Sequence, residues 1–236
     1  MDNIILSLKE VHSHIGQHHI LQGVNLDVID KRPTAILGRN GAGKSSTIRT
    51  IMGFNPLTSG TIELNGENIG GVKPFDIARK GIGMVPEEMA VIRDLTVEEN
   101  FRLAMINENE GHWKRMEEIW QLFPAMKKFW KSKAGLLSGG QKQMLAISRA
   151  FVDDRKILLI DEPSKGLAPI VVDQLGESLI HLREKATVIL IEQNFYLASR
   201  VGVDYFILDD GRTVHKGSMA DLINNDEIKH KYLGIG

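Results

Sequence analysis

Gly38-Arg39-Asn40-Gly41-Ala42-Gly43-Lys44-Ser45 follows the apolar run Ala35-Ile36-Leu37 and precedes Ser46-Thr47-Ile48-Arg49-Thr50-Ile51-Met52, a stretch compatible with a helix. Strand, glycine loop, helix is the context in which G-x-x-x-x-G-K-[ST] acts as a phosphate-binding P-loop. Glycines let the backbone turn so that successive N–H groups point inward at a helix N-terminus, a cationic nest with the helix dipole behind it. Gly38, Arg39, Asn40, Gly41, Ala42 and Gly43 are therefore expected to wrap the phosphates of a nucleotide, with the amides from Gly41 to Ser46 on the β-phosphate. Lys44 would place its charge between the β- and γ-phosphates, and the Ser45 hydroxyl would ligate Mg²⁺.

A P-loop needs a second acid for the metal and a group to activate the attacking water. Ile157-Leu158-Leu159-Ile160-Asp161-Glu162 offers both. Four apolar residues read as a buried strand, so Asp161 emerges at a rigid end where a P-loop protein holds Mg²⁺, directly or through water. Glu162 projects differently and can orient or deprotonate the nucleophile. Upstream, Leu137-Ser138-Gly139-Gly140-Gln141 places a serine and two glycines at a helix start. Such a terminus exposes N–H groups to an anion, so Ser138, Gly139, Gly140 and Gln141 form a second phosphate-seeking surface. That surface makes sense if it meets the γ-phosphate of a nucleotide held by another subunit; the other reading is an ordinary serine N-cap.

Outward from these motifs, the chain reads as α/β. Ile4–Leu8, Leu21–Val28 and Thr34–Leu37 are β segments, with His12–His19 as a hairpin connection between the first two. The histidines there are read either as solvated turn residues or as metal ligands. Thr61–Leu64 closes on the hairpin signal Asn65-Gly66, Pro74–Lys80 is one or two helical turns, and Gly81–Pro86 is a strand. Thr96-Val97-Glu98-Glu99 matches a capping box opening a helix with Phe101, Leu103 and Ala104. From Gly111 to Pro124, Trp113, Met116, Ile119, Trp120 and Phe123 recur at helical spacing, as a core stripe or a partner-docking face. Residues near 87–137 thus form a helical insertion in the single domain 1–236, whose nucleotide-binding core is 1–86 and 138–236. Beyond it, helices over Gly139–Val152, Ile170–Lys185 and Phe195–Arg200 alternate with buried strands over Lys156–Asp161 and Thr187–Ile191. A hairpin over Val203–His215 and a helical tail over Met219–Leu233 complete the chain. Alternation around a P-loop argues a mainly parallel sheet covered by helices on both faces.

The chain has 236 residues, 42% hydrophobic and 25% charged, enough for a sizeable core. Its formal net charge of −1 recommends no nucleic-acid partner. The absence of cysteine excludes disulfides and thiolate metal sites. Neither a secretory signal nor an apolar run long enough to span a bilayer is present, so a soluble chain is expected, anchored by something else if it works at a membrane.

Over essentially its whole length the sequence resembles the ATP-binding subunits of ABC transporters, whose signature motif LSGGQ stands unaltered at Leu137–Gln141. Val85-Pro86-Glu87, Asp94–Asn100, Gln143–Ile147, Asp161–Pro169 and Ile191-Glu192-Gln193-Asn194 are most similar to the ATPases of branched-chain amino acid importers. The resemblance implies MgATP hydrolysis driving transport. It also implies pairing with a second ABC ATPase, identical or different, and integral membrane permease subunits that communicate with a solute-binding protein. The place of work implied is peripheral, at the cytoplasmic face of the cell membrane. The alternative within the family is a non-transport ATPase that remodels a soluble protein or nucleoprotein complex. Glu87 takes the Q-loop position near Mg²⁺, Gln193 the switch position, and Ser164–Ala168 the D-loop, with Ala168 where many relatives carry Asp. The family's adenine-stacking aromatic is replaced by Ile15, beside His14.

Overall fold

The computed structural model describes residues 3–106 and 108–235. Its strands are β1 (Ile4–Ile15), β2 (His18–Ile29), β3 (Thr34–Leu37), β4 (Ser59–Leu64), β5 (Glu67–Asn68), β6 (Ile82–Val85), β7 (Ile157–Asp161), β8 (Thr187–Ile191), β9 (Asp204–Asp209) and β10 (Arg212–Ser218). Its helices are α1 (Lys44–Ile51), α2 (Pro74–Arg79), α3 (Val97–Ala104), α4 (Glu110–Leu122), α5 (Pro124–Lys128), α6 (Gly139–Phe151), α7 (Pro169–Leu182), α8 (Phe195–Val201), α9 (Met219–Ile223) and α10 (Asp226–Ile228). The predicted α/β class holds: a core sheet of order β10-β9-β3-β8-β7-β6 is parallel except at β10, and an antiparallel sheet of order β2-β1-β4-β5 lies beside it.

The central strands β3, β8 and β7 are buried along their whole length and almost wholly apolar, as strands covered on both faces are, whereas the edge strand β10 is polar and partly exposed. Period-two alternation divides β7: Ile157 and Leu159 belong to the cluster with α1 and the antiparallel sheet, while Leu158 and Ile160 belong to the cluster formed by α3, α4, α6 and α7. On α4 and just after it, Met116, Ile119 and Phe123 are fully buried, with Trp113 and Trp120 packed against them. The aromatic stripe is therefore core, and each fully buried side chain contributes about 1.5–3 kcal/mol. Leu103, by contrast, faces solvent. Thr96 and Glu99 form the expected capping box, the Thr96 hydroxyl accepting from Glu99 N–H at 3.1 Å and Glu99 Oε2 accepting from Thr96 N–H at 2.7 Å. A polar network ties the start of α4 to the segment after α6 and to α2. His112 Nδ1 accepts from Asn109 N–H, and Nε2 donates to buried Asp153 at 2.8 Å. Arg155 joins Asp153 to the carbonyl of Ala78 in α2.

Two expectations change. The hairpin connection is much shorter than His12–His19, because strand pairing continues through the histidines and leaves Gly16-Gln17 as the turn. His12, His14 and His19 share one face: His12 Nδ1 lies 3.0 Å from His19 Nε2, and the His14 and His19 rings stack 4.1 Å apart. Among the described residues no group of three or more His, Asp and Glu side chains is placed to hold a metal ion. The C-terminal helix is also broken. Asn225 caps α10 by accepting from Ile228 N–H, so the chain restarts there and ends in a π-helical turn over Lys229–Leu233.

Candidate active site

Four adjacent parallel strands deliver the chemistry from their carboxyl ends, where ligands of open α/β sheets bind. The P-loop leaves β3, Glu192 and Gln193 follow β8, Asp161 and Glu162 end β7, and Glu87 follows β6.

The P-loop depends on its first glycine. Gly38 has φ +146°, and a Cβ there would sit 2.3 Å from the Leu208 carbonyl oxygen, so no other residue fits. Gly43 takes the N-cap position of α1 at φ +98° with no side chain capping the helix, which leaves the first N–H groups open to an anion. A hollow of ≈ 310 Å³ at this terminus is lined by Asn40, Gly41, Gly43, Lys44, Ser45, Ser46, Glu87, Glu162, Ile20 and Lys165. Lys44 is buried; its ammonium donates to the carbonyls of Gly38 at 2.9 Å and Arg39 at 3.1 Å and lies 3.6 Å from Glu162 Oε1. Burial pulls its pKa down, against the pull of Glu162. Ala42 is buried too and supports the loop from behind, its carbonyl accepting from Gly211 N–H at 3.0 Å.

Ser45 Oγ donates to Asp161 Oδ1 at 3.0 Å. Burial pushes the Asp161 carboxyl up to about 6, aided by Glu162 and Glu87 and opposed by Ser45 and Lys44. A buried carboxylate held only by a hydroxyl, beside further carboxylates, is a hard-oxygen donor set that fits Mg²⁺. Glu162 occupies the left-handed region at φ +42°, a strained conformation fixed by its N–H bond to Ile191 O at 2.9 Å. Lys165 reaches back across the site, donating to Glu87 Oε1 at 2.5 Å with Glu162 4.0 Å away.

Gln193 donates its side-chain amide to Asn40 Oδ1, which joins the segment after β8 to the P-loop. A second hollow of ≈ 330 Å³, lined by Leu37, Gly38, Arg39, Asn40, Glu192, Gln193 and Leu233, lies next to it, and Arg39 ties the C-terminal turn there through Lys231 O at 3.2 Å. Ile15 is half-exposed at the end of β1 and lines neither hollow; Ile20 lines the first instead.

The Ser138–Gln141 segment stands apart from all of this. Ser138 caps α6, its hydroxyl accepting from Gln141 N–H at 3.2 Å while Gln141 Oε1 accepts from Ser138 N–H at 2.9 Å. Ser138 and Gly139 face solvent, whereas Gly140 is buried so tightly that a Cβ would meet Val171 at 2.3 Å. None of the four lines either hollow at the P-loop. Sequence reasoning gave no role to Lys165, Ile20 or Glu192. For Glu192 a signal existed: like Asp161, it directly follows four apolar residues, Val188 to Ile191.

The sequence pattern of the family described as ABC transporter matches residues 21–165. The chain is 38% identical to the high-affinity branched-chain amino acid transport ATP-binding protein BraG of Pseudomonas aeruginosa over 98% of its own length and 100% of that protein's. It is 34% identical to the probable branched-chain amino acid transport ATP-binding protein LivF of Archaeoglobus fulgidus, over 92% and 93% of the two chains. Its fold matches that of an ATP-binding cassette of an ABC transporter in its ADP conformation, with a TM-score of 0.85 at 22% identity over 99% of both chains. A dimeric cassette bound to ADP and phosphate shares the fold, with a TM-score of 0.78 at 24% identity over 91% of this chain and 98% of that one. With the P-loop, the Asp161–Glu162 strand and the LSGGQ helix in these places, the chain belongs to the ABC transporter family and is one of its ATP-binding, ATP-hydrolysing cassettes.

Proposed function

We propose that this cassette powers the uptake of branched-chain or related amino acids, pairing head-to-tail with a second ABC ATPase beneath separate permease subunits at the cytoplasmic face of the membrane. The cargo class follows from the transport for which the Pseudomonas and Archaeoglobus relatives are named. The observation that carries the mechanism is the division of the site: the P-loop hollow is walled by its own carboxylates and lysines, while Ser138 and Gly139 lie exposed and outside it.

In the closed pair, each P-loop faces the partner's Ser138-Gly139-Gly140, with ATP between them. Ser45, Asp161 and Glu87 would hold Mg²⁺, which supplies positive charge to the β- and γ-phosphates. The open amides of α1 and Lys44 bind the phosphates, and Glu162 orients the attacking water and takes its proton. Gln193 hydrogen-bonds the γ-phosphate but cannot become cationic, so Glu162 carries the water activation. Loss of the γ-phosphate removes what both surfaces grip, and the pair opens. The permease seat that suits this motion is the ≈ 520 Å³ cleft between the core and the helical insertion, lined by exposed Phe54 and Phe75 and by Arg149, whose Nε is buried without a partner.

Glu162→Gln keeps the size of the side chain and removes the base. With excess MgATP that variant is expected to accumulate as an ATP-bound dimer in analytical ultracentrifugation. A variant that stays monomeric, even beside its natural partner ATPase, overturns the pairing.

A further inference from the structure

The proposed chemistry uses Asp161, Glu162 and Gln193, yet a fourth polar group is built in among them. Glu192 follows β8, the strand between β3 and β7, and is only 2% exposed. Its two carboxylate oxygens serve two different loops. Oε1 accepts from Ser164 N–H at 2.9 Å, and Oε2 accepts from Asn194 N–H at 3.1 Å. Ser164 opens the D-loop; Asn194 is the residue after Gln193. The Glu192 backbone N–H meanwhile bonds Ile36 O at 3.3 Å, in the strand that feeds the P-loop.

Burying a carboxylate is costly unless its oxygens are hydrogen-bonded, and here the bonds go to backbone groups that no regular element satisfies. Burial raises the Glu192 pKa, while the bonds from Ser164 and Asn194 favour the ionised form. A carboxylate is the side chain suited to this place, because it offers two acceptors and no donor. An amide of the same size would turn an NH₂ group toward one of the two N–H groups.

We propose that Glu192 is a positioning residue for ATP hydrolysis: it ties the first amide of the D-loop to the amide after Gln193, so that displacement of the D-loop when two cassettes pair moves the Gln193 side chain. This rests on the head-to-tail pairing proposed above. In the unpaired chain Gln193 lies on Asn40 of the P-loop. In the pair, the D-loop shift carried through Glu192 frees the Gln193 amide from Asn40 and delivers it to the γ-phosphate. Nucleotide affinity, set by the P-loop, is not part of this linkage.

A double-mutant cycle on the full chain, assembled with its natural partner subunits, tests the proposal through kcat and KM for ATP and the unfolding midpoint. Glu192→Gln is expected to lower kcat about tenfold, the effect of a lost charge-assisted hydrogen bond, with KM within about twofold. Glu192→Asp keeps the charge but is one methylene short of spanning both amides, and the same kcat-selective loss is expected. In a Gln193→Ala background, Glu192→Gln should cost nothing further. The proposal is overturned if the two losses multiply in the double variant, or if KM and the unfolding midpoint move as much as kcat. A Gln193→Ala variant at full rate overturns it too. The Glu162→Gln dimer, measured separately, tells that failure apart from a failure of pairing.

Discussion

The N-termini of α1 and α6 are both glycine-flanked and both suited to an anion, but they are finished in different ways. At α1 no side chain caps the helix, and the open amides face a hollow walled by Lys44, Glu87, Glu162 and Lys165. At α6 the Ser138–Gln141 capping box already satisfies two of the N–H groups, and Ser138 and Gly139 look into solvent. One terminus is left uncapped beside a hollow walled by charged side chains; the other is capped and faces solvent. Under the proposed pairing, the α6 terminus meets a phosphate only when the second cassette brings it there.

The largest expected effect comes from the α1 terminus. Lys44→Ala removes the only side-chain cation lining the hollow that is itself buried, and turnover should fall about 10²–10³-fold, with weakened nucleotide binding in the unpaired chain. Ser138→Ala should act differently. It costs about 1 kcal/mol of stability through the lost cap and lowers turnover of the paired enzyme, while the unpaired chain binds nucleotide as before. Equal loss of affinity in both variants, measured by titration calorimetry, would erase the contrast between the two termini.

The α1 site also carries a pH signature that α6 lacks. The Asp161 carboxyl is raised from 3.8 to about 6, so across that interval the folded chain holds a proton that the unfolded chain has released. Stability of the nucleotide-free, Mg²⁺-free protein therefore falls as pH rises through that window, and the penalty is full above it. Asp161→Asn is expected to melt a few degrees above the wild type at neutral pH and to lose that advantage on acidification. A difference independent of pH would mean that burial of Asp161 is not what the α1 site costs the fold.

The two regions also differ in how far they could be read in advance. Gly38–Ser45 and Leu137–Gln141 are continuous motifs, and their local conformation follows from glycine and serine chemistry at neighbouring positions. The same holds for Thr96–Glu99 and for Asp161–Glu162, where a cap or an apolar strand sets the direction of the side chains. Two readings failed on local detail that composition does not fix. Strand pairing carries β1 and β2 through the histidines, and Asn225 re-caps a tail whose composition alone suits one helix. Lys165 and Glu192 escaped because their contacts are remote in sequence. Their partners Glu87 and Ser164 lie 78 and 28 residues away and meet them only once β6, β7 and β8 are aligned.

The smallest effect concerns the base, where neither terminus reaches. His14 is already stacked on His19 and placed 3.2 Å from Thr58 Oγ1, so its ring is engaged before any nucleotide arrives. Burial and the neighbouring His14 and His12 imidazoles hold the His19 pKa below its ordinary value, which favours its uncharged ring. Ile15, next along β1, is half-exposed and gives a base apolar contact without a π-face. Ile15→Tyr supplies that face. Stacking of a base on an aromatic contributes about 1–3 kcal/mol in single-stranded nucleic-acid complexes, and an exposed position should realise the lower end, tightening ATP binding about fivefold. A fluorescent-nucleotide competition assay measures this directly. An unchanged or larger dissociation constant would mean that no stacking position lies open at Ile15, and that base contact falls to Ile20, which lines the hollow itself.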